Sequence, residues 1–189
     1  MSDYGGRILP QHAKLLAAAA VKPQVAEEAG IYSAAKADDL PEEFRSLGSA
    51  GVPALVFPWH RVNGEDPVHQ IRPDILLERK DGSTAKYLFP YGTKPALSVH
   101  PGMRERIRDS GVPILVVEGT KQYFAAVSAL VGEPFAAMGI AGCYGWSGDG
   151  KPISDLDHVP WNRDVYLCFD ADVESNRNVW DAPWRSRRC

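Results

Sequence analysis

Cysteine is scarce in this chain. The three present among 189 residues, Cys143, Cys168 and Cys189, stand far apart and form no CxxC pair. A disulfide framework and a zinc ribbon are thereby excluded, and a reducing, cytoplasmic setting is expected. The five histidines show no HxH or HExxH spacing, which argues against a zinc catalytic site. Long apolar runs are also missing. Leu15 to Val21 is too short to span a membrane and lacks the basic lead of a signal peptide, so no membrane partner is expected. Nor is there a surplus of positive charge: 21 Lys and Arg against 24 Asp and Glu leave a net charge of −3. Any contact with nucleic acid must then rest on a local basic surface rather than on overall charge.

What is present reads as an α/β protein in three stretches, 1–47, 48–102 and 103–189. The first is a small helical lead-in: Pro10 opens a helix to Ala20, Lys22-Pro23 breaks it, and a second helix from Gln24 to Ala29 stops at Gly30. Glu27 and Glu28 make that second helix a poor reader of DNA. The middle stretch is β-rich. Strands are expected at Ala54–Phe57, ending at Pro58, and at Val68–Arg72, ending at Pro73. Ile75–Arg79 and Ala85–Phe89 flank the hairpin signal Asp81-Gly82. Arg72, Arg79, Lys80, Lys86 and Lys94, with Tyr87 and Tyr91 among them, form either a solvated basic face or a platform for phosphates and stacked bases.

The last stretch alternates strand and helix, the pattern of a parallel sheet with helices on its faces. Ile114–Val117 is continuously apolar, as a strand buried on both faces should be. Glu118-Gly119-Thr120 follows at once. The next helix carries Tyr123, Phe124, Val127, Leu130 and Val131 at helical spacing. Phe135–Ile140 is a second strand, and Val165–Phe169 a third buried one, ending in Asp170-Ala171-Asp172. A further helix is expected from Asn176 to Asp181.

Two apolar strands thus end in acids, about fifty residues apart. In an open parallel sheet ligands gather beyond the carboxyl ends of the strands, so Glu118, Asp170 and Asp172 are expected to converge there. Clustered carboxylates repel one another unless a cation lies among them. Hard oxygen donors at an exposed rim suit Mg²⁺ or Mn²⁺, ions that activate an attacking oxygen and stabilise a leaving one.

Val116-Val117-Glu118-Gly119 and Phe169-Asp170-Ala171-Asp172 resemble the two signature motifs of the Toprim domain, which is shared by DnaG-type primases, type IA and type II topoisomerases and some nucleases. The resemblance is closest to the Toprim-like domain family of phage and plasmid primase-like proteins. Gly145-Trp146 after the second strand and Val173, Asn176 and Val179 after the aspartates match its pattern. Upstream, Phe57-Pro58-Trp59, Gly64, Gln70-Ile71-Arg72-Pro73 and Lys86-Tyr87 look like the β-rich segment preceding Toprim in primases. The resemblance implies phosphate contacts at Arg72 and Lys86, nucleic-acid or nucleotide binding at Tyr87 as well, and charge stabilisation by Lys121 beside Glu118. It implies a primase-like nucleotidyltransferase of a phage or plasmid, working with Mg²⁺ or Mn²⁺ on a single-stranded DNA or RNA template and nucleotides, with a helicase or other replication protein as partner. Glu118 is then either a metal ligand or a general acid or base. A Toprim nuclease and a catalytically weak binding or regulatory module are the alternatives; a topoisomerase would need a strand-passage domain that has no room here. Pro183 and the tail Trp184–Cys189 depart from the Toprim pattern, so the sheet is expected to be truncated or completed by a partner.

Three other signals are discounted. Gly145 to Lys151 reads GxxxxGK, but Pro152 stands where a P-loop needs a hydroxyl. Asp155-Leu156-Asp157 repeats Asp-x-Asp without a buried strand before it and is expected to be a solvated turn. The cysteines are expected to be packing residues.

Overall fold

The structure, a computed structural model, describes residues 4–78 and 82–169. Asp170, Asp172, Cys189, the helix expected from Asn176 and the residues Arg79, Lys80 and Asp81 lie outside that range.

Two helices lead in, α1 (Pro10–Ala18) and α2 (Pro23–Glu28), each with proline in its first turn, where the missing N–H has no intrahelical partner to lose. An antiparallel sheet follows, made of β1 (Tyr32–Ala34), β2 (Ala54–Trp59) and β3 (Val68–Pro73), with β2 in the centre. The β2 strand runs on through Pro58 instead of ending there. The β1 strand pairs with β2 only as far as Val56, so beyond that point β2 has an open side, where a residue without an N–H is tolerated.

Alternation along β2 explains how this sheet is held. Ala54 and Val56 face a small cluster with Ala34, Leu40, Phe44 and Ile71. Leu55, Phe57 and Trp59 face the main core, which also draws on Leu16, Val25, Ile114, Phe124 and Met138. The expected hairpin is present but short: β4 (Leu77–Glu78) pairs with β5 (Thr84–Ala85), and Leu88 then bridges to Ile71 of β3.

The parallel sheet consists of β6 (Ile114–Glu118), β7 (Ala136–Ile140) and β10 (Val165–Cys168) in the order β10-β6-β7, matching a Toprim-like core. Short α3 (Arg104–Arg108) precedes it, and α4 (Thr120–Ala129) connects β6 to β7. The buried positions of α4 are Thr120, Tyr123, Phe124, Val127 and Ser128, a single helical stripe. Val131, expected on that stripe, lies past the end of the helix and is exposed. Between β7 and β10 the glycine-rich loop folds into a hairpin, β8 (Ser147–Gly148) and β9 (Lys151–Pro152). Asp149 and Gly150 at its tip both have positive φ, the conformation of a type I′ turn and not of a phosphate loop.

One strand departs from expectation. The sequence predicted β10 as buried on both faces, yet Val165, Tyr166 and Leu167 are exposed. An edge position alone does not produce this, since β7 at the other edge of the sheet is buried throughout.

Side chains tie the stretches together. His12 on α1 bonds the Ser33 hydroxyl through Nδ1 (2.7 Å) and the Asp74 carboxylate through Nε2 (2.8 Å). Arg163 donates to the carbonyls of Arg106, Ile107 and Val112, fixing the approach to β10 against α3. Asp155 overturns its expectation as a solvated turn. It is 1% exposed, accepts two bonds from the Arg61 guanidinium (2.5 and 3.2 Å) and one from the Leu97 backbone N–H (2.9 Å). With neither a strand nor a hydrophobic run beside it, the sequence carried no sign of this pairing. Cys168 is exposed and Cys143 half-buried, so neither is the buried packing residue expected.

Candidate active site

Glu118 is the last residue of β6 and pairs in register with Ile140 at the end of β7. Gly119 then turns the chain into α4 with φ of 86°, a left-handed conformation that residues with a Cβ resist. Its N–H donates to the Ile140 carbonyl (3.1 Å), and its carbonyl accepts from Tyr123 N–H (2.9 Å). The Glu-Gly pair therefore has a physical reason: the glycine permits an immediate turn, leaving Glu118 half-buried at the rim of the sheet.

The antiparallel sheet docks at this same turn. Thr120, the first residue of α4, is buried and donates its hydroxyl to the Gln70 side-chain oxygen on β3. Phe57 on the neighbouring β2 stacks on Phe124 of α4, centroids 5.9 Å apart and planes at 21°. Because alternate residues of a strand share a face, Val68 and Arg72 lie on the same side of β3 as Gln70.

Arg72 thus arrives beside α4, and the charges register it. Burial holds Lys121 below the usual lysine range, and repulsion from Lys86 and then Arg72 adds to the effect. The three cations named from sequence come from β3, from the segment after β5 and from the first turn of α4, and they share one neighbourhood. Arg72 Nε is buried without a hydrogen-bond partner. Tyr87 joins the group differently. Burial pushes its phenol up to about 12, with Arg72 pulling the other way, and its ring packs on Phe57 (centroids 6.1 Å). Its hydroxyl is buried and unpartnered too. The ring therefore belongs to the edge of the core, with its phenol end buried near Arg72.

On the other side of Glu118, β10 runs parallel to β6 with Cys168 opposite Val117. Phe169 follows and packs on the main core. The next residue in the chain is Asp170, so the strand that leads to the two aspartates ends beside the strand that ends in Glu118. Asp170 and Asp172 themselves lie outside the described residues. Among the described residues no three His, Cys, Asp or Glu side chains gather as a metal site.

No protein-family model matches the chain, and a search of curated proteins finds no match. Solved structures do match. The DnaG catalytic core superposes with a TM-score of 0.58 at 20% identity, over 93% of this chain and 58% of that one. A DnaG primase catalytic domain bound to single-stranded DNA gives 0.57 at 19%, over 94% and 60%. The primase fragment of the bacteriophage T7 primase-helicase protein gives 0.53 at 15%, over 88% and 57%. The chain has the fold of a DnaG-type primase catalytic core. It spans 57 to 60% of the length of these primase structures. Identity this low carries the fold alone, and the primase-core fold covers the antiparallel sheet as well as the Toprim-like one.

Within this primase-core fold, sequence reasoning missed the joint between the sheets. Gln70 and Thr120 were named only as parts of motifs and given no role, since a glutamine in a strand and a threonine after glycine are unremarkable until the two elements meet. Phe89 and Tyr144, which with Trp59 wall a cavity past the carboxyl end of β7, were not given a role for the same reason.

Proposed function

We propose that this chain carries out primase-like nucleotidyl transfer on nucleic acid, as part of replicating a phage or plasmid genome. The observation that supports it best is the pairing of Glu118, at the carboxyl end of the central parallel strand, with Arg72, Lys86 and Lys121 grouped beside the helix that follows. An acid at a strand end next to a cation group is what phosphoryl transfer needs. The cations neutralise phosphate oxygens, and the acid acts at the reacting end.

The residues suit a divalent cation. Glu118 offers hard carboxylate oxygens, and β10 leads directly to Asp170 and Asp172, which would complete a set for Mg²⁺ or Mn²⁺. Such an ion, when bound, polarises a phosphoryl oxygen and assists both the attacking and the leaving oxygen. The chain's own groups have separate tasks. Arg72 and Lys86 hold the phosphates of template or nucleotide. Lys121, one residue into α4, faces charge that develops near Glu118. Glu118 itself orients the ion or moves a proton. Single-stranded template and nucleotides are the substrates in this reading, with a helicase as the partner most in keeping with the T7 primase-helicase similarity.

The test is a gel assay with single-stranded DNA, labelled nucleotides and Mg²⁺ or Mn²⁺, with Asp170→Asn as control. New labelled oligonucleotides that vanish in the variant are expected. Shortened end-labelled DNA would replace this reading with a nuclease, and no metal-dependent change in either strand would leave a binding module.

A further inference from the structure

One buried histidine joins the lead-in helices to the rest of the chain. His100, 2% exposed, stands just before the turn Pro101–Met103 that leads into α3. Its Nδ1 accepts the Gly102 N–H (3.0 Å), and its Nε2 lies 3.1 Å from the Val25 carbonyl on α2. Its backbone N–H donates to the Tyr123 hydroxyl on α4, and its ring meets that of Phe124 edge to face, centroids 6.4 Å apart and planes at 78°.

These bonds fix the charge of the ring. A nitrogen that accepts from an N–H carries no proton, so the proton sits on Nε2 and is donated to Val25. With α2 docked the ring is neutral. A second proton would stand on Nδ1 against the Gly102 N–H, donor facing donor, and would bury a charge. His60 also reaches α2, with Nε2 2.9 Å from the Ala29 carbonyl, but a second proton there would leave that bond intact.

Among the described residues the titratable groups facing His100 are Glu28 of α2, 4.0 Å from Nε2, His60 and Tyr123. Burial, the largest influence, holds His100 below the usual histidine range. The Val25 carbonyl and Glu28 pull the other way, and His60 adds to burial. An undocked ring in water takes its proton near the ordinary value of about 6.5. The undocked form is therefore the better base, and docking weakens as pH falls below that value.

α2 is poorly placed to resist. A helix of six residues does not hold its own shape in water, whereas β6 is paired along both sides. Its place also bears on α4. The Lys22 N–H donates to the buried Ser128 hydroxyl (2.9 Å), which donates to the Phe124 carbonyl (2.8 Å), and Phe124 is the residue on which Phe57 stacks.

We propose that His100 is a proton-operated latch: neutral, it fastens α2 beside α4, and on taking up a proton it releases α2 while the parallel sheet stays folded. The latch is independent of the chemistry assigned to the site.

The experiment follows hydrogen exchange by NMR on the full chain in steps between about pH 8 and pH 5, expressed as protection relative to free peptide. The amides of Ala26, Ala29 and Ile31 donate to the Lys22, Val25 and Ala26 carbonyls. They are expected to lose protection below about pH 6.5, by up to tenfold per pH unit for one proton, while Val116 and Val117 of β6 keep theirs. His100→Gln, whose amide donates and accepts but takes up no proton, should remove the pH dependence. The ring-nitrogen shifts of wild-type His100 should show the Nε2–H form at high pH and change in step with α2; they decide the matter if the variant does not fold. Constant protection of α2, loss in α2 and β6 together, a folded His100→Gln variant with the pH dependence intact, or a ring that stays neutral while α2 opens would each overturn the latch.

Discussion

The two sheets of this molecule meet at the first turn of α4, yet they supply opposite halves of the candidate site by different physical routes. The parallel sheet contributes acid at the ends of its strands, where the backbone stops and the next turn begins. The antiparallel sheet contributes Arg72 from the side of a strand, through the alternation that puts it on one face with Val68 and Gln70. An acid at a strand end is fixed by one covalent neighbour, Gly119 after Glu118. A cation on a strand face is fixed only once that strand has docked, here through Gln70 on Thr120 and Phe57 on Phe124. The acidic half should therefore fail by local chemistry, and the basic half by loss of docking.

This contrast can be broken at several points. The largest effect is expected from Glu118→Gln, which keeps the shape and removes the charge. Nucleotidyl transfer should fall by about 10²–10⁴-fold, the usual range for an acid or base acting in the transition state, with the melting temperature unchanged. A comparable loss of stability, seen by denaturant titration, is expected from Asp155→Ala. It would leave the Arg61 guanidinium without its buried carboxylate, at about 3–5 kcal/mol. That variant loosens the segment between β9 and β10 and contains no site residue, so it separates folding from chemistry.

A smaller effect tests the joint. A Cβ built at Gly139 on β7 would lie 2.8 Å from the Tyr123 ring, whose residue is fully buried on α4. Gly139→Ala should cost about 1–3 kcal/mol through overpacking and, by shifting α4, should weaken phosphate binding as well. Lys121→Ala should reduce the salt dependence of single-stranded DNA binding by a slope of about one, without affecting the melt.

The smallest effect concerns pH. Lys121 loses its proton below the usual lysine range because of burial and the repulsion of Lys86 and Arg72. Its attraction for phosphate is thus present at neutral pH and fades on the alkaline side earlier than an ordinary lysine's. Lys86→Ala removes one repelling charge, so Lys121 should hold its proton to higher pH. Tripolyphosphate binding followed against pH should show its alkaline limb moved upward in that variant. An unmoved limb would mean that Lys86 and Lys121 do not share a neighbourhood.

The same contrast explains what could be read from sequence. The strands at Ile114 and Phe135, the turn at Gly119 and the buried stripe of α4 follow from local patterns, and they were legible. So was Glu118 at a strand end. The exposure of β10 was not, because an apolar run records affinity for a core and not which strand faces the rest of the fold covers. The Arg61–Asp155 pair joins residues 94 positions apart, and nothing local distinguishes a carboxylate that will be buried from one that will be solvated. Arg72, Lys86 and Lys121 were named one by one, through resemblance. Their common neighbourhood belongs to the docking of one sheet on another.

The central claim is that acid from one sheet and cations from the other act on the same phosphate. A double-mutant cycle of Glu118→Gln and Arg72→Ala, read as the rate of labelled-oligonucleotide synthesis on single-stranded DNA, tests it most directly. One shared cleft predicts strong non-additivity, with the double variant hardly slower than Glu118→Gln alone. Losses that simply multiply, or a Glu118→Gln variant as fast as the wild type, would contradict it.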